Sequence, residues 1–252
     1  MKIIDDILNS LKSNSDVEEV MRGLHWTAVV SRQCGLASAM PQEACTHTEE
    51  ASEADGSFTD MTAFELAQYI YSSDASKASL GLAAVNSLIE LNTEKCSDIN
   101  GIDLFYERGR DKNISVIGHF PYLDKLASVA KNFWIIEKHP LPGDFPEDSI
   151  REFLPQSDIV IISSTTLINH TIESILSFCK GNSLKMLLGP STPMSDALFD
   201  HGIDILSGSI VIDKCTVLKY ISEGANFIRL KKTGSVRFVT MIKDRKKLKN
   251  YS

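Results

Sequence analysis

The sequence predicts an α/β protein in two parts, a small α+β domain over residues 1–95 and a doubly wound parallel sheet over residues 96–252. Three observations predict it. After residue 113, short apolar runs alternate five times with helical periodicities, the pattern of strand–helix units joined by right-handed crossovers. Before residue 92 the order differs: short β-branched and aromatic runs come first and helices follow, an α+β arrangement. Between them, "NTEKCSDING" at residues 92–101 is polar, has no periodicity and ends in Asn-Gly, as linkers do.

Each element has its own reason. Ile3, Ile4, Ile7, Leu8 and Leu11 share one face of an opening helix. Residues 17–40 read as two or three short strands broken near Gly23 and Gly35, and residues 41–60 as a polar, acidic loop. Helices are expected over 62–72 and 76–91. The second, "SKASLGLAAVNSLIEL", is rich in small residues and predicts a closely packed partner. In the second part, strands are expected at 114–118, 133–137, 158–162, 184–188 and 203–206. The helices between and after them fall at 122–130, 147–154, 169–179, 194–201 and 214–222.

Composition narrows the class. A hydrophobic share of 43% in 252 residues supports a real core. No stretch approaches the ~20 apolar residues of a membrane span. Met1-Lys2-Ile3-Ile4-Asp5-Asp6 places acids where a secretory leader is basic and then apolar, so a cytoplasmic protein is expected. Five dispersed cysteines without a CxxC pair read as free thiols. The net charge of −7 conceals a basic end: residues 229–252 hold nine Lys/Arg against one acid. The acidic remainder would repel phosphates, so this end is expected to be a solvated or self-docking tail and not a nucleic-acid arm.

The strand ends gather the polar groups. In open α/β sheets ligands bind at the carboxyl ends of the strands. Those positions hold Gly118-His119-Phe120-Pro121, Glu137, Ser163-Ser164-Thr165-Thr166, Gly189-Pro190-Ser191-Thr192 and Ser207-Gly208-Ser209. Glu137 lies 19 residues past Gly118, near the interval at which an acid meets a ribose hydroxyl in dinucleotide folds. Gly-His-Phe-Pro, however, is not the GxGxxG phosphate cradle. Nucleotide or S-adenosyl binding and an ordinary structural turn therefore both remain open, and the cofactor is unknown. Asn169 is placed to cap the next helix. Helix N-termini after Thr166 and Pro193 would favour an anionic group on a small-molecule ligand. Glu137, His119 and His170 are the proton-transfer candidates. Cys45-Thr46-His47, with Glu49, Glu50 and Cys34, lacks the second ligand pair of a zinc site, so no bound metal is expected.

Five stretches carry a resemblance: "TAVVSRQCGLASA" (27–39), "LGLAAVNS" (80–87), "VIGHFP" (116–121), "TTLINHT" (165–171) and "LGPSTPMSDALFDHGIDILSGS" (188–209). Together the chain resembles a bacterial and archaeal family labelled for heavy-metal chelation, with no established reaction. The resemblance implies an enolase-N-terminal-like domain joined to a Rossmann-like domain, with the active site between them. It implies a ligand that is a pterin-, flavin- or siderophore-like metal-chelating compound, bound either by an enzyme or by a carrier without chemistry. Under it, Gly35 and Asn86 of the first domain face the second-domain residues Gly118, Phe120, Thr165, Thr166, Asn169, Gly189, Pro190, Ser191, Thr192 and Gly208. Gly35 could equally be a bulge and Asn86 a buried polar group. No membrane partner is expected, and self-association into a homo-oligomer is open.

Overall fold

A computed structural model describes residues 1–40, 57–121 and 123–244. In the first half, α1 (Lys2–Asn9) precedes an antiparallel meander of β1 (Glu19–Arg22), β2 (Trp26–Val30) and β3 (Cys34–Ser38). Then come α2 (Ala63–Ala67) and α3 (Ala75–Leu88). Every residue of β2 is buried, because both faces of this small sheet are covered. Side chains alternate between faces along a strand. Val29 joins the apolar cluster of α3, and Thr27 accepts a 3.1 Å hydrogen bond from Ser79 of that helix. Trp26, Ala28 and Val30 pack instead with Val217, Leu218 and Ile221 of the second half.

The small residues of α3 have the close partner that they predict. A Cβ on Gly35 would lie 2.2 Å from the Ala83 carbonyl oxygen and 2.3 Å from the Ser87 nitrogen. Gly35 thus sits inside β3, under the helix, and does not break the strand; the turn falls at Ser31–Gln33, where Ser31 N–H donates to the Gln33 carbonyl.

The second half supplies β4 (Cys96–Ser97), α4 (Phe105–Arg108), β5 (Asn113–Ile117), α5 (Asp124–Ala127), β6 (Asn132–Glu137) and β7 (Phe145–Pro146). It continues with α6 (Ile150–Phe153), β8 (Ile159–Ser163), α7 (Thr165–Ile168), α8 (Ile172–Phe178), β9 (Leu184–Leu188) and α9 (Ala197–Asp200). It closes with β10 (Ile205–Val211), α10 (Lys214–Ser222), α11 (Phe227–Lys232) and β11 (Val236–Ile242). Eight strands form one sheet in the order β4-β11-β10-β9-β8-β5-β6-β7. From β7 through β10 every neighbour is parallel, while β11 runs antiparallel to β10 and β4. The chain builds outward from β5 through β6 to β7, then crosses back to add β8, β9 and β10 on the other side. The strand order therefore reverses between β5 and β8, as in a Rossmann sheet.

Several helices are shorter than their periodicity suggests, for local reasons. The helix expected over 169–179 starts only at Ile172, because His170 takes a left-handed φ of 60° and separates α7 from α8. The helix expected over 122–130 is reduced to Asp124–Ala127, and that over 194–201 to Ala197–Asp200. The basic end is not merely a tail. Residues 236–242 form an interior strand paired with β10 along its whole length, with Val239, Thr240 and Met241 buried. The Lys/Arg-rich residues 245–252 lie outside the described residues.

One apolar cluster runs through both halves, from Ile3, Ile4 and Ile7 of α1 to Leu198 and Phe199 around α9. Gly35→Ala tests one of the tight contacts within it. Because the methyl would meet helix backbone, we expect a loss of about 2 kcal/mol or more in unfolding free energy. Urea denaturation measures this, and a change within ~0.5 kcal/mol would contradict the packing described.

Candidate functional site at the strand-order reversal

The carboxyl ends of β5, β6 and β8 meet where the strand order reverses, and a crevice of about 110 Å³ opens there. Its polar wall comes from Gly118, Glu137, Ser163, Thr165, Thr166 and Asn169, and its apolar part from Ile117, Ile136, Ile150 and Ile175. Gly118 has a φ of 97°, and a Cβ there would lie 2.9 Å from the Ser163 Cβ. Only glycine suits that turn. Glu137 ends β6, and its Oε1 accepts from the Lys138 N–H at 2.8 Å. The hydroxyls order one another: Ser163 Oγ and Thr165 Oγ1 are 2.8 Å apart, and Thr166 Oγ1 donates to the Ser163 carbonyl at 2.6 Å. Asn169 Oδ1 accepts from both the N–H and the hydroxyl of Thr171, just before α8.

A second, much smaller recess of about 30 Å³ lies between the halves and brings Gly35, Asn86 and Thr192 together. It has room for about one or two waters. The loop beside it is a joint. Ser191 is fully buried, and its Oγ accepts from the Ser38 N–H at 2.8 Å. Asn86 Nδ2 donates to the Leu36 carbonyl at 2.8 Å and to the Ser191 carbonyl at 3.0 Å. Ser209 Oγ donates to the Pro190 carbonyl at 3.0 Å. Gly189, at φ 136°, passes close over Ser164, and Gly208 passes under Met194 and Thr192. The expected residues are thus divided. Five of them, Gly118, Glu137, Thr165, Thr166 and Asn169, share the crevice, while the 189–192 loop faces the first half.

The two candidate histidines and Phe120 also find their places. His119 is exposed, with Nε2 3.6 Å from the Asp144 carboxylate. Phe120 packs on the cluster containing Leu123 and Leu188. His170 Nε2 lies 2.7 Å from the Ile70 carbonyl, so its ring ties the halves together instead of facing the crevice. His201, which no motif marks, makes a similar tie to Asp6 at 2.8 Å. The helices expected to turn their N-termini toward an anion are short: α8 has seven residues, with Glu173 in its first turn, and α9 has four. Lys138, Glu147, Thr171 and Ser174 complete the crevice lining. Their signal in the sequence is faint, for Ser174 shows only as the residue about one helical turn beyond Asn169.

Among the described residues, no three His, Cys, Asp or Glu side chains converge on a point that could hold a metal. Burial pushes the Cys34 thiol up to about 12 and the Cys179 thiol to about 11. The metal-binding form of cysteine is the thiolate, so these two are poor ligands as they stand. The described residues therefore do not fit a directly held heavy metal. Cys45, His47, Glu49 and Glu50 lie outside the described residues.

The sequence pattern of the DUF364 family, described as "Putative heavy-metal chelation", matches residues 100–240. The chain belongs to that family. A second pattern with the same description, DUF4213, matches residues 4–89. A crystal structure of a DUF364-family protein of unknown function from Desulfitobacterium hafniense superposes with a TM-score of 0.81 at 25% identity, covering 96% of this chain and 98% of that one. Another, from Pyrococcus horikoshii, gives 0.79 at 18% identity over 96% and 98%, a likeness of fold alone. An uncharacterized protein of Methanocaldococcus jannaschii is 29% identical over 156 residues, 59% of this chain and 60% of that protein. No described helix is long and apolar enough to cross a membrane.

The thiol environments predict a reactivity order. At pH 8 a thiol titrating near 12 is ionised to roughly one part in ten thousand. Alkylation of the native protein, mapped by peptide mass spectrometry, should label the exposed Cys215 while Cys34 and Cys179 react only after unfolding. Cys34 reacting as fast as Cys215 would contradict the burial described.

Proposed function

We propose that this chain binds a small organic molecule of the metal-chelating kind in the crevice between the ends of β5, β6 and β8. Any metal is then held by the donors of that molecule and not by protein side chains. The observation that carries this reading is the coincidence of position and chemistry. A crevice of about 110 Å³ lies where the strand order reverses, the place at which open α/β sheets take ligands. Its wall is hydroxyl-rich and its other surfaces are isoleucine, which suits a flat ring with polar edges such as a pterin-, flavin- or siderophore-like compound.

The family description supports metal chelation, and the lack of converging ligands among the described residues supports assigning the chelating atoms to the bound molecule. Glu137 is the proton-transfer group for any chemistry on that ligand, because its carboxylate lines the crevice. His119 is the second, since it follows Gly118 in the turn after β5, with its ring beside Asp144. The described cysteines are free thiols, which supports a reducing cytoplasmic setting.

Ser174 is exposed on α8 at the rim, so Ser174→Trp fills the mouth without disturbing the core. Protein purified without refolding is denatured, and the released small molecules are identified by mass spectrometry. We expect one discrete compound from the native sequence and less than about a tenth as much from Ser174→Trp, the scale of loss that a blocked pocket produces. Equal amounts from both would place the ligand elsewhere.

A further inference from the structure

We propose that the crevice recognises two adjacent hydroxyls, a vicinal diol, through the Glu137 carboxylate. This rests on the crevice being the ligand site and names what that site reads. Glu137 is the last residue of β6, the second strand built out from β5, and Gly118 directly follows β5, the first. In a sheet of this strand order, an acid at the end of the second strand stands where it can accept from both hydroxyls of a diol whose carrier lies over the glycine turn.

The acceptor capacity is available. Each carboxylate oxygen has two lone pairs. Oε1 takes one bond, from the Lys138 N–H, and Oε2 takes none from another described residue. Glu137 is half-buried at the end of β6, and the Lys138 N–H anchors one of its carboxylate oxygens.

The surroundings also say what the diol is not attached to. A pyrophosphate needs backbone N–H groups at the turn after the first strand and a helix N-terminus behind them. Here that turn is Gly118-His119-Phe120-Pro121, and proline has no N–H to give. The helix that follows, α5, has four residues and begins with Asp124. Glu137 and Glu147 on the crevice wall set two carboxylates against the single cation of Lys138. A polyphosphate would be repelled. The diol therefore belongs to a ligand without phosphates, either the ribose of a nucleoside or the aromatic diol of a catechol. Both present the same pair of donors, and the isoleucine surfaces accommodate the flat ring that each carries.

Two probe pairs separate these sources: adenosine against 2′-deoxyadenosine, and catechol against phenol. Ligand-observed NMR titrations are run on the native sequence, Glu137→Gln and Ser174→Trp, with thermal melts to show that the variants are folded. In at least one pair, the diol should bind about tenfold or more tightly than its partner lacking one hydroxyl, and Glu137→Gln should erase that preference. Preference in the adenosine pair identifies ribose, and preference in the catechol pair identifies an aromatic diol; either supports the proposal. Binding that Ser174→Trp abolishes, but with no hydroxyl preference or with one that survives in Glu137→Gln, overturns the diol while leaving the crevice as the site. Binding that ignores Ser174→Trp overturns both, and no binding by any probe overturns the diol alone.

Discussion

The hydrogen bonds of Ser191 fix how the two halves meet, and the placement of everything else depends on them. Its hydroxyl accepts from the backbone of β3, and its carbonyl accepts from Asn86 on α3. The neighbouring Gly189 N–H donates to the Ser207 carbonyl on β10, and the Pro190 carbonyl accepts from Ser209. A loop that leaves β9 is thereby bonded both to its own sheet and to the small sheet of the first half. Buried polar groups of this kind are costly to leave unpaired, so the loop has one low-energy position. With both faces of the meander covered, by α3 and by α10, the first half has little freedom to move alone.

That arrangement decides where a ligand can go. The prolines and hydroxyls of residues 189–193 look like a ligand loop in isolation, but most of their polar groups are engaged in the joint. Thr192 is the exception: its hydroxyl is buried beside the water-sized recess without a hydrogen-bond partner among the described residues. A water bonded there would satisfy it at little entropic cost. The larger opening is left to the ends of β5, β6 and β8. The glycine at 118 keeps that turn low, while the Ser163–Thr165 contact holds the opposite wall.

Much of this was legible in the residues themselves. The five strands expected in the second half stand where the apolar runs put them, because short β-rich runs between turn signals have few alternatives; only the two-residue β7 adds a sixth parallel strand. The 19 residues from Gly118 to Glu137 span two neighbouring strand ends, since one crossover separates β5 from β6. Helix ends were less legible: a left-handed residue at His170 interrupts the chain without any glycine or proline to announce it. The strand at 236–242 was masked by its charged flanks, although Val236, Phe238, Val239 and Thr240 are the β-branched and aromatic residues that strands favour. Least legible was the division of the rim between a joint and a crevice. Ser191 and Thr165 carry the same functional group at equivalent strand ends. Only the tertiary contacts with Ser38 and Asn86 distinguish a structural hydroxyl from one facing open space.

The most direct test is a crystal structure of the protein purified without refolding, at a resolution that shows bound small molecules. Ordered non-protein density in the crevice, touching Glu137 and Thr165, is the result expected. Density of a ligand between the halves, spreading the recess beside Thr192 and displacing Asn86 from Ser191, with the crevice holding only water, would contradict it.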